Sequence, residues 1–203
     1  ERYNREMTMN DWESRYQSGE TGWDRGASSP ALSVWLKAGH LQAAARILVP
    51  GCGRGHEVTY LAELGYEVTG IDIAPSAVTH LKQTLKDKGL HAGVLQADLF
   101  AFKPDSPFDA VYEQTCLCAI QPEQREAYEA LLHSWIKPGG TLFALFMQTG
   151  AEGGPPFHCD LLAMHRLFPE SRWNWSQTGP EAEPVFTPHR NGRFELGYQL
   201  KRI

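Results

Sequence analysis

The chain has 203 residues, 42% of them hydrophobic and 21% charged, with a formal net charge of −5. That length and composition suit one globular domain with a sizeable core, and the acidic balance gives no electrostatic footprint for nucleic acid or anionic lipid. No apolar run reaches the roughly 18 residues that span a bilayer, the N-terminal stretch is polar and unlike a secretory signal, and four scattered cysteines without C-x-x-C spacing fit a reducing cytoplasm.

Residues 1–30 are polar with aromatics set among them. Trp12 and Tyr16, four apart, fall on one face of a short helix that Asn10 or Asp11 could cap. Gly22-Trp23-Asp24-Arg25-Gly26 follows. These rings either anchor an N-terminal arm to the core or form a lid over a ligand, in which case their faces would attract a cation. Residues 31–44 read as an amphipathic helix opened by Ser29-Pro30 and interrupted near Gly39.

Ile47-Leu48-Val49 is an apolar strand that breaks into Gly51-Cys52-Gly53-Arg54-Gly55. A helical pattern then runs from Glu57 to Leu64 and stops at Gly65. Tyr66 to Asp72 is a second strand that ends on a carboxylate, about twenty residues past the glycines, where it can accept from both hydroxyls of a ribose. A dinucleotide site wants G-x-G-x-x-G, the third glycine letting helix pack on strand. Here the spacing is G-x-G-x-G, and His56 holds that position. The pattern favours a nucleoside ligand without a pyrophosphate, and S-adenosylmethionine fits.

Ala74-Pro75-Ser76 opens a second helix that ends at Lys88-Gly89. His91 to Leu95 is a third strand, with Asp98 and Leu99 at its C-terminal end. Asp98 could accept from the exocyclic amine of adenine with Leu99 along the ring, or be a loop or capping acid. Phe108 to Tyr112 is a fourth strand that runs into Glu113-Gln114-Thr115-Cys116-Leu117-Cys118-Ala119-Ile120. Pro122 opens a helix closed by Lys137-Pro138-Gly139-Gly140, and Thr141 to Met147 is a fifth strand, almost wholly apolar as central parallel strands are. Strands alternating with helices predict a parallel sheet with right-handed crossovers and a ligand crevice beyond the strand carboxyl ends. A Gly-Pro-rich loop from Gly150 to His158 and a helix from Leu161 to Phe168 follow. Trp173 to Ser176 and Phe194 to Leu200 alternate like an antiparallel pair.

With these residues in view, the chain resembles the thiopurine S-methyltransferase superfamily, nearest its halide and thiol methyltransferases. The resemblance rests on Trp12-x-x-x-Tyr16 with Gly22-Trp23-Asp24-x-Gly26, Val49-Pro50-Gly51-Cys52-Gly53, Cys118-Ala119-Ile120 and Gly153-Gly154-Pro155-Pro156. It implies an α/β, class I (Rossmann-like) methyltransferase fold: a mostly parallel seven-stranded sheet, helices on both faces, the last strand antiparallel. It implies that Trp12, Tyr16 and Trp23 close over S-adenosylmethionine, that Gly51, Cys52 and Gly53 approach its methionine part, Asp72 and Ile73 the ribose, and Asp98 with Leu99 the adenine. Gln114 would stand beside the methionine end. Tyr16 replaces a common tryptophan and keeps the ring; Gln114 stands where relatives carry Tyr or Arg, which bears on the acceptor.

Methyl transfer from a sulfonium is an in-line displacement, so positioning dominates. A soft anion needs no general base, whereas a neutral thiol must first lose a proton, and no residue stands out as the base. Trp23, Cys116, Leu117, Pro155 and His158 are the acceptor-pocket candidates. Cys116 and Cys118 either line a pocket or core or act as nucleophiles, and His158 either lowers an acceptor's pKa or is a surface histidine. An uncharged pocket of this kind suits a thiol, hydrosulfide or halide, with thiopurines or metalloid compounds as the alternative. A dinucleotide oxidoreductase is disfavoured by His56, and a non-catalytic nucleoside-binding domain by the N-terminal aromatics. A metal site from Cys116, Cys118, His158 and Cys159 lacks any supporting spacing, and no metal is expected. The expected organisation is one domain over residues 1–203: a helical lid (1–45), a nucleoside-binding core (46–148), and an acceptor loop with C-terminal strands (149–203). It should be a monomer that meets a small-molecule acceptor, with no nucleic-acid or membrane partner.

Overall fold

The structure is a computed structural model that describes residues 5–175 and 183–203. Two compact units divide the chain, one of Met7–Lys103 and one of Pro104–Ile203 with the residues up to Glu6.

The first unit runs α1 (Met9–Ser18), α2 (Pro30–Lys37), β1 (Arg46–Pro50), α3 (His56–Glu63), β2 (Glu67–Asp72), α4 (Pro75–Lys88) and β3 (Gly93–Gln96). Thr8, rather than Asn10 or Asp11, caps α1: its side chain accepts from the Asp11 amide while the Asp11 carboxylate accepts from the Thr8 amide, a reciprocal capping box. The second helix stops at Lys37, short of the expected residue 44. Gly39 turns left-handed (φ 76°) and leaves Leu41 outside the helix. The three strands are parallel in the order β3-β2-β1, with Pro50 opposite Ile71 and Asp72 opposite Gln96. That register brings the end of β1, Asp72 and the start of the 97–100 turn to one carboxyl edge. The turn after β1 folds tightly there. Gly55 (φ 73°) caps α3, and a Cβ on it would lie 2.4 Å from the buried Leu81 side chain. Gly70 is equally confined, since a Cβ would meet Val58 at 2.9 Å and the Cys52 sulfur at 3.0 Å.

The second unit holds β4 (Phe108–Glu113), a 3₁₀ turn (Pro122–Gln124), α5 (Arg125–Trp135), β5 (Ile136–Gln148), α6 (Leu161–Leu167), β6 (Trp173–Trp175), β7 (Val185–Pro188) and β8 (Phe194–Arg202). The order is β4-β5-β8-β6, with β4 and β5 parallel and β8 antiparallel to β5, β6 and β7. The two units together carry the seven expected strands, and β7, which the sequence reading missed, is an eighth paired to β8. The expected β6–β8 pairing is present, although Ser176 lies outside the described residues. One expectation is corrected. Lys137 to Gly140 does not close the helix but lies within β5, which starts directly after Trp135. Phe108 pairs with Ile136 and Ala110 with Thr141, so the excess residues bulge out. Gly140 permits this, because a Cβ would lie 2.7 Å from the Asp109 carbonyl oxygen. Phe146, Phe168, Trp173, Trp175 and Tyr198 pack ring against ring as the core of this unit, with centroids 5.3–6.0 Å apart.

Gly55→Ala is expected to lower the unfolding free energy by about 2–5 kcal/mol, combining a left-handed residue with a Cβ driven into a filled core. The shift of the urea midpoint measures it.

Candidate active site

The first unit brings Asp72, Tyr16, Trp23 and Trp12 together around its glycine turn. Gly51 and Gly53 both take φ 56°, a conformation open to glycine at little cost. The Gly53 amide donates to Asp72 Oδ2 at 2.8 Å, and the Ala74 amide donates to Asp72 Oδ1 at 2.9 Å. Asp72 is 8% exposed; burial pushes its carboxyl above the ordinary range, and these amides pull it back. It was expected to face a ribose. What its bonds do in the structure is weld the tip of β2 to the glycine turn. Cys52 is buried, its amide donating to the Ile71 carbonyl, and Ile73 is half-buried beside Asp72.

The three rings come together as one cluster. Trp23 meets Trp12 and Tyr16 edge to face, each with centroids 5.6 Å apart. The Tyr16 hydroxyl sits 3.0 Å from where a Cβ on Gly53 would be, so the cluster rests on the glycine turn. Burial pushes the Tyr16 hydroxyl well above its ordinary range, and the Asp72 charge adds to the rise. From α1, Glu13 accepts from the amide (2.9 Å) and hydroxyl of Ser76, which holds its carboxyl below the ordinary range. This supplies the cap that Ala74 lacks at the start of α4. Neither Glu13 nor this pairing was anticipated; only a long-range contact reveals it. Asp98 is exposed and accepts from the Phe100 amide at 2.9 Å, the Asx-turn alternative, with Leu99 half-buried beside it.

The second unit holds the remaining candidates at the tips of β4 and β5. Gln114 is gripped at both ends: Tyr112 donates its hydroxyl to Oε1 at 3.0 Å, and Nε2 donates to Glu195 at 3.1 Å. Its neighbour Thr115 is left-handed (φ 57°), an uncommon state for a β-branched residue and a mark of strain. Cys116 and Leu117 are buried. Burial raises the Cys118 thiol well above its ordinary range and the Cys159 thiol to about 11, so both stay protonated. The Phe157 amide donates to the Cys118 carbonyl at 2.7 Å, tying the loop that carries Pro155 to the β4 tip. His158 Nδ1 accepts from the amides of Thr149 (3.1 Å) and Gly150 (3.4 Å), so it pins its own loop. Among the described residues, no three His, Cys, Asp or Glu side chains gather as a metal site.

One acid escaped the sequence reading. Glu113, the last residue of β4, is 1% exposed; its Oε1 accepts from the Leu117 amide and lies 3.5 Å from the Tyr128 hydroxyl, while Oε2 has no hydrogen-bond partner among the described residues. Burial raises it to about 8, and the nearby Glu195 adds to the rise. The signal was available: a carboxylate at the carboxyl end of a strand, as Asp72 is. Glu113 binds a proton in the folded chain that the unfolded chain has released above its ordinary value of 4.5. Its stabilising contribution is therefore intact below that value and is lost as pH rises toward 8, at up to about 1.4 kcal/mol per pH unit. Glu113→Gln should flatten that fall, and urea unfolding at pH 5, 6.5 and 8 tests it. Equal slopes in variant and wild type would contradict the assignment.

The comparisons with known proteins bear on the family and the fold. The family model described as Thiopurine S-methyltransferase matches residues 7–196. Thiocyanate methyltransferase 1 of Arabidopsis thaliana is 30% identical over 189 residues, 92% of this chain and 82% of that protein. Thiopurine S-methyltransferase of Pseudomonas putida (strain GB-1) is 30% identical over 166 residues, 72% of this chain and 76% of that protein. The solved structure of Burkholderia thailandensis 1,6-didemethyltoxoflavin-N1-methyltransferase with bound 1,6-didemethyltoxoflavin and S-adenosylhomocysteine superposes with TM-score 0.76 at 20% identity, covering 96% of this chain and 86% of that one. The fold is that of the class I methyltransferases, and the chain belongs to the thiopurine S-methyltransferase family.

Proposed function

We propose that this protein transfers a methyl group from S-adenosylmethionine to a small soft nucleophile, a thiol or hydrosulfide before a halide. The observation that carries the reading is the aromatic cluster of Trp12, Tyr16 and Trp23 seated on a glycine turn whose neighbour is a buried carboxylate. Those residues fit the donor: glycines with no side chain to obstruct its backbone approach, Asp72 for the ribose with Ile73 beside it, and ring faces that attract a sulfonium. When bound, S-adenosylmethionine supplies an electrophilic methyl carbon. The chain's own residues supply orientation. Gly51, Cys52 and Gly53 shape the turn for the methionine part, and Asp98 with Leu99 flank the adenine position at the end of β3.

The acceptor reading rests on Cys116, Leu117 and Pro155, which carry no charge. A hard, strongly hydrated oxygen anion would lose its hydration beside them without compensation, whereas a polarisable sulfur desolvates at lower cost. Gln114, held between Tyr112 and Glu195, is directed inward to protein partners and leaves the acceptor side without a strong base. Acceptor ionisation then precedes transfer. Thiopurine or metalloid acceptors are the second reading, favoured by the family match itself. The four free cysteines fit a reducing cytoplasm, no helix among the described residues is long and apolar enough to cross a membrane, and the chain is expected to work as a monomer without nucleic acid.

Two measurements test this. Trp23→Ala should weaken S-adenosylmethionine more than S-adenosylhomocysteine, by the roughly 0.5–2 kcal/mol that a cation–π contact adds for the charged ligand alone; equal losses in calorimetry would reduce Trp23 to a neutral cover. In an acceptor panel followed by S-adenosylhomocysteine release, short thiols should turn over faster as pH rises toward a thiol's ionisation near 8.5. Efficient methylation of a catechol, or a thiol rate flat from pH 6 to 9 with chemistry limiting, would overturn the acceptor reading.

A further inference from the structure

Trp23 meets Trp12 and Tyr16 edge to face, contacts that add only modestly to what their buried area supplies. Stronger ties hold its loop, and they converge on one carboxylate. Asp24, with its side chain 10% exposed, stands 2.8 Å from His56 Nε2 through Oδ1 and accepts from Arg54 Nη1 at 2.8 Å through Oδ2. Oδ1 also accepts from the Gly26 amide at 2.7 Å. Burial alone would raise this carboxyl, yet the Gly26 amide, His56 and Arg54 together hold it below its ordinary range. Arg54 and His56 flank Gly55 in the glycine turn. A second tie follows, the Ser29 amide donating to Glu57 Oε1 at 2.9 Å. Residues 24–29 are thus fastened to residues 54–57 by charge-assisted bonds, about twice as strong as neutral ones.

Arg54 makes this arrangement more than mechanical. Its guanidinium carbon lies 5.9 Å from the centre of the Tyr16 ring. A cation therefore occupies a face of the same aromatic cluster that the proposed donor site offers to a sulfonium. An uncompensated guanidinium there would oppose the donor while sparing its neutral product.

We propose that Asp24 is a positioning residue that acts through Arg54: it clamps the Trp23 loop onto the glycine turn and neutralises the guanidinium so that the rings are left to the charged donor. This rests on the reading that S-adenosylmethionine binds at that turn. In the resting clasp His56 is the second partner of Asp24, and Glu57 with Ser29 secures the far end of the loop.

The test compares Asp24→Asn, Arg54→Gln and the double variant by calorimetry with S-adenosylmethionine and S-adenosylhomocysteine, and by steady-state kinetics. Asp24→Asn should raise KM for the donor about tenfold with kcat changed less than about threefold, and should shift binding preference toward the product by about tenfold, the direction an uncompensated cation beside the rings sets. The double variant should recover most of that preference, a rescue that a purely structural role would not give. No recovery in the double variant, or an equal loss for both ligands in Asp24→Asn, overturns the proposal. If Asp24→Asn alone does not fold, the double variant carries the test: a preference within about threefold of wild type supports the proposal, and a tenfold shift overturns it. Asp72→Asn separates the two layers of inference. Undiminished donor binding in Asp72→Asn defeats the donor-site reading itself, whereas weakened binding there with no change of preference in Asp24→Asn defeats only the role of Asp24.

Discussion

The hydrogen bond from the Gly53 amide to Asp72 fixes the geometry on which the rest of the first unit depends. A carboxylate buried at the end of β2 is unfavourable unless its oxygens are met, and two backbone amides meet them. In doing so they dictate where the glycine turn lies relative to the β2 tip. That placement sets Gly53 against Tyr16, Tyr16 against Trp23, and Trp23 against Trp12. The aromatic cluster is therefore a consequence of how one acid is satisfied, with Glu13 on Ser76 and Asp24 on Arg54 and His56 fixing its two flanks.

The second unit answers the same problem differently. Glu113 also ends a strand and is buried, but it receives one backbone amide, from Leu117, and one of its oxygens has no hydrogen-bond partner among the described residues. Desolvation then outweighs hydrogen bonding, and the neutral acid is favoured at neutral pH. Nearby, Thr115 is left-handed between Gln114 and Cys116. Arg125 reaches the same region, donating to the His158 carbonyl at 3.2 Å and lying 3.6 Å from the Cys159 sulfur. Gln114 is held between Tyr112 on β4 and Glu195 on β8, Phe157 by the Cys118 carbonyl, and His158 by amides of its own loop.

Much of this was legible in the residues because the period-two and apolar runs of β1, β2, β4 and β5 are strong local signals, and Gly51, Gly53 and Asp72 sit where a strand must end. The rest depended on partners distant in sequence. Thr8 rather than Asn10 caps α1 because the acid three residues later completes the box, a choice the polar stretch left open. The Pro138-Gly139-Gly140 run reads as a stop from composition alone, yet pairing with β4 carries the strand through it, tertiary pairing overriding turn propensity. Four-residue β7 has too little pattern to stand out without β8. Asp24, Glu13 and Glu113 were given no role of their own from the sequence, and only burial and cross-chain partners reveal one.

The residues that hold the glycine turn, the rings and Asp72 all fall between Met7 and Lys103, and every bond named among them closes within that unit. Pro155, His158 and the β4-tip residues fall outside it. If Pro155 and the β4 tip meet the acceptor as proposed, sequence drift after Lys103 would change which nucleophile is accepted without loosening the proposed grip on the donor. Among descendants of such a chain, one half should be held under purifying selection while the other is free to explore new chemistry.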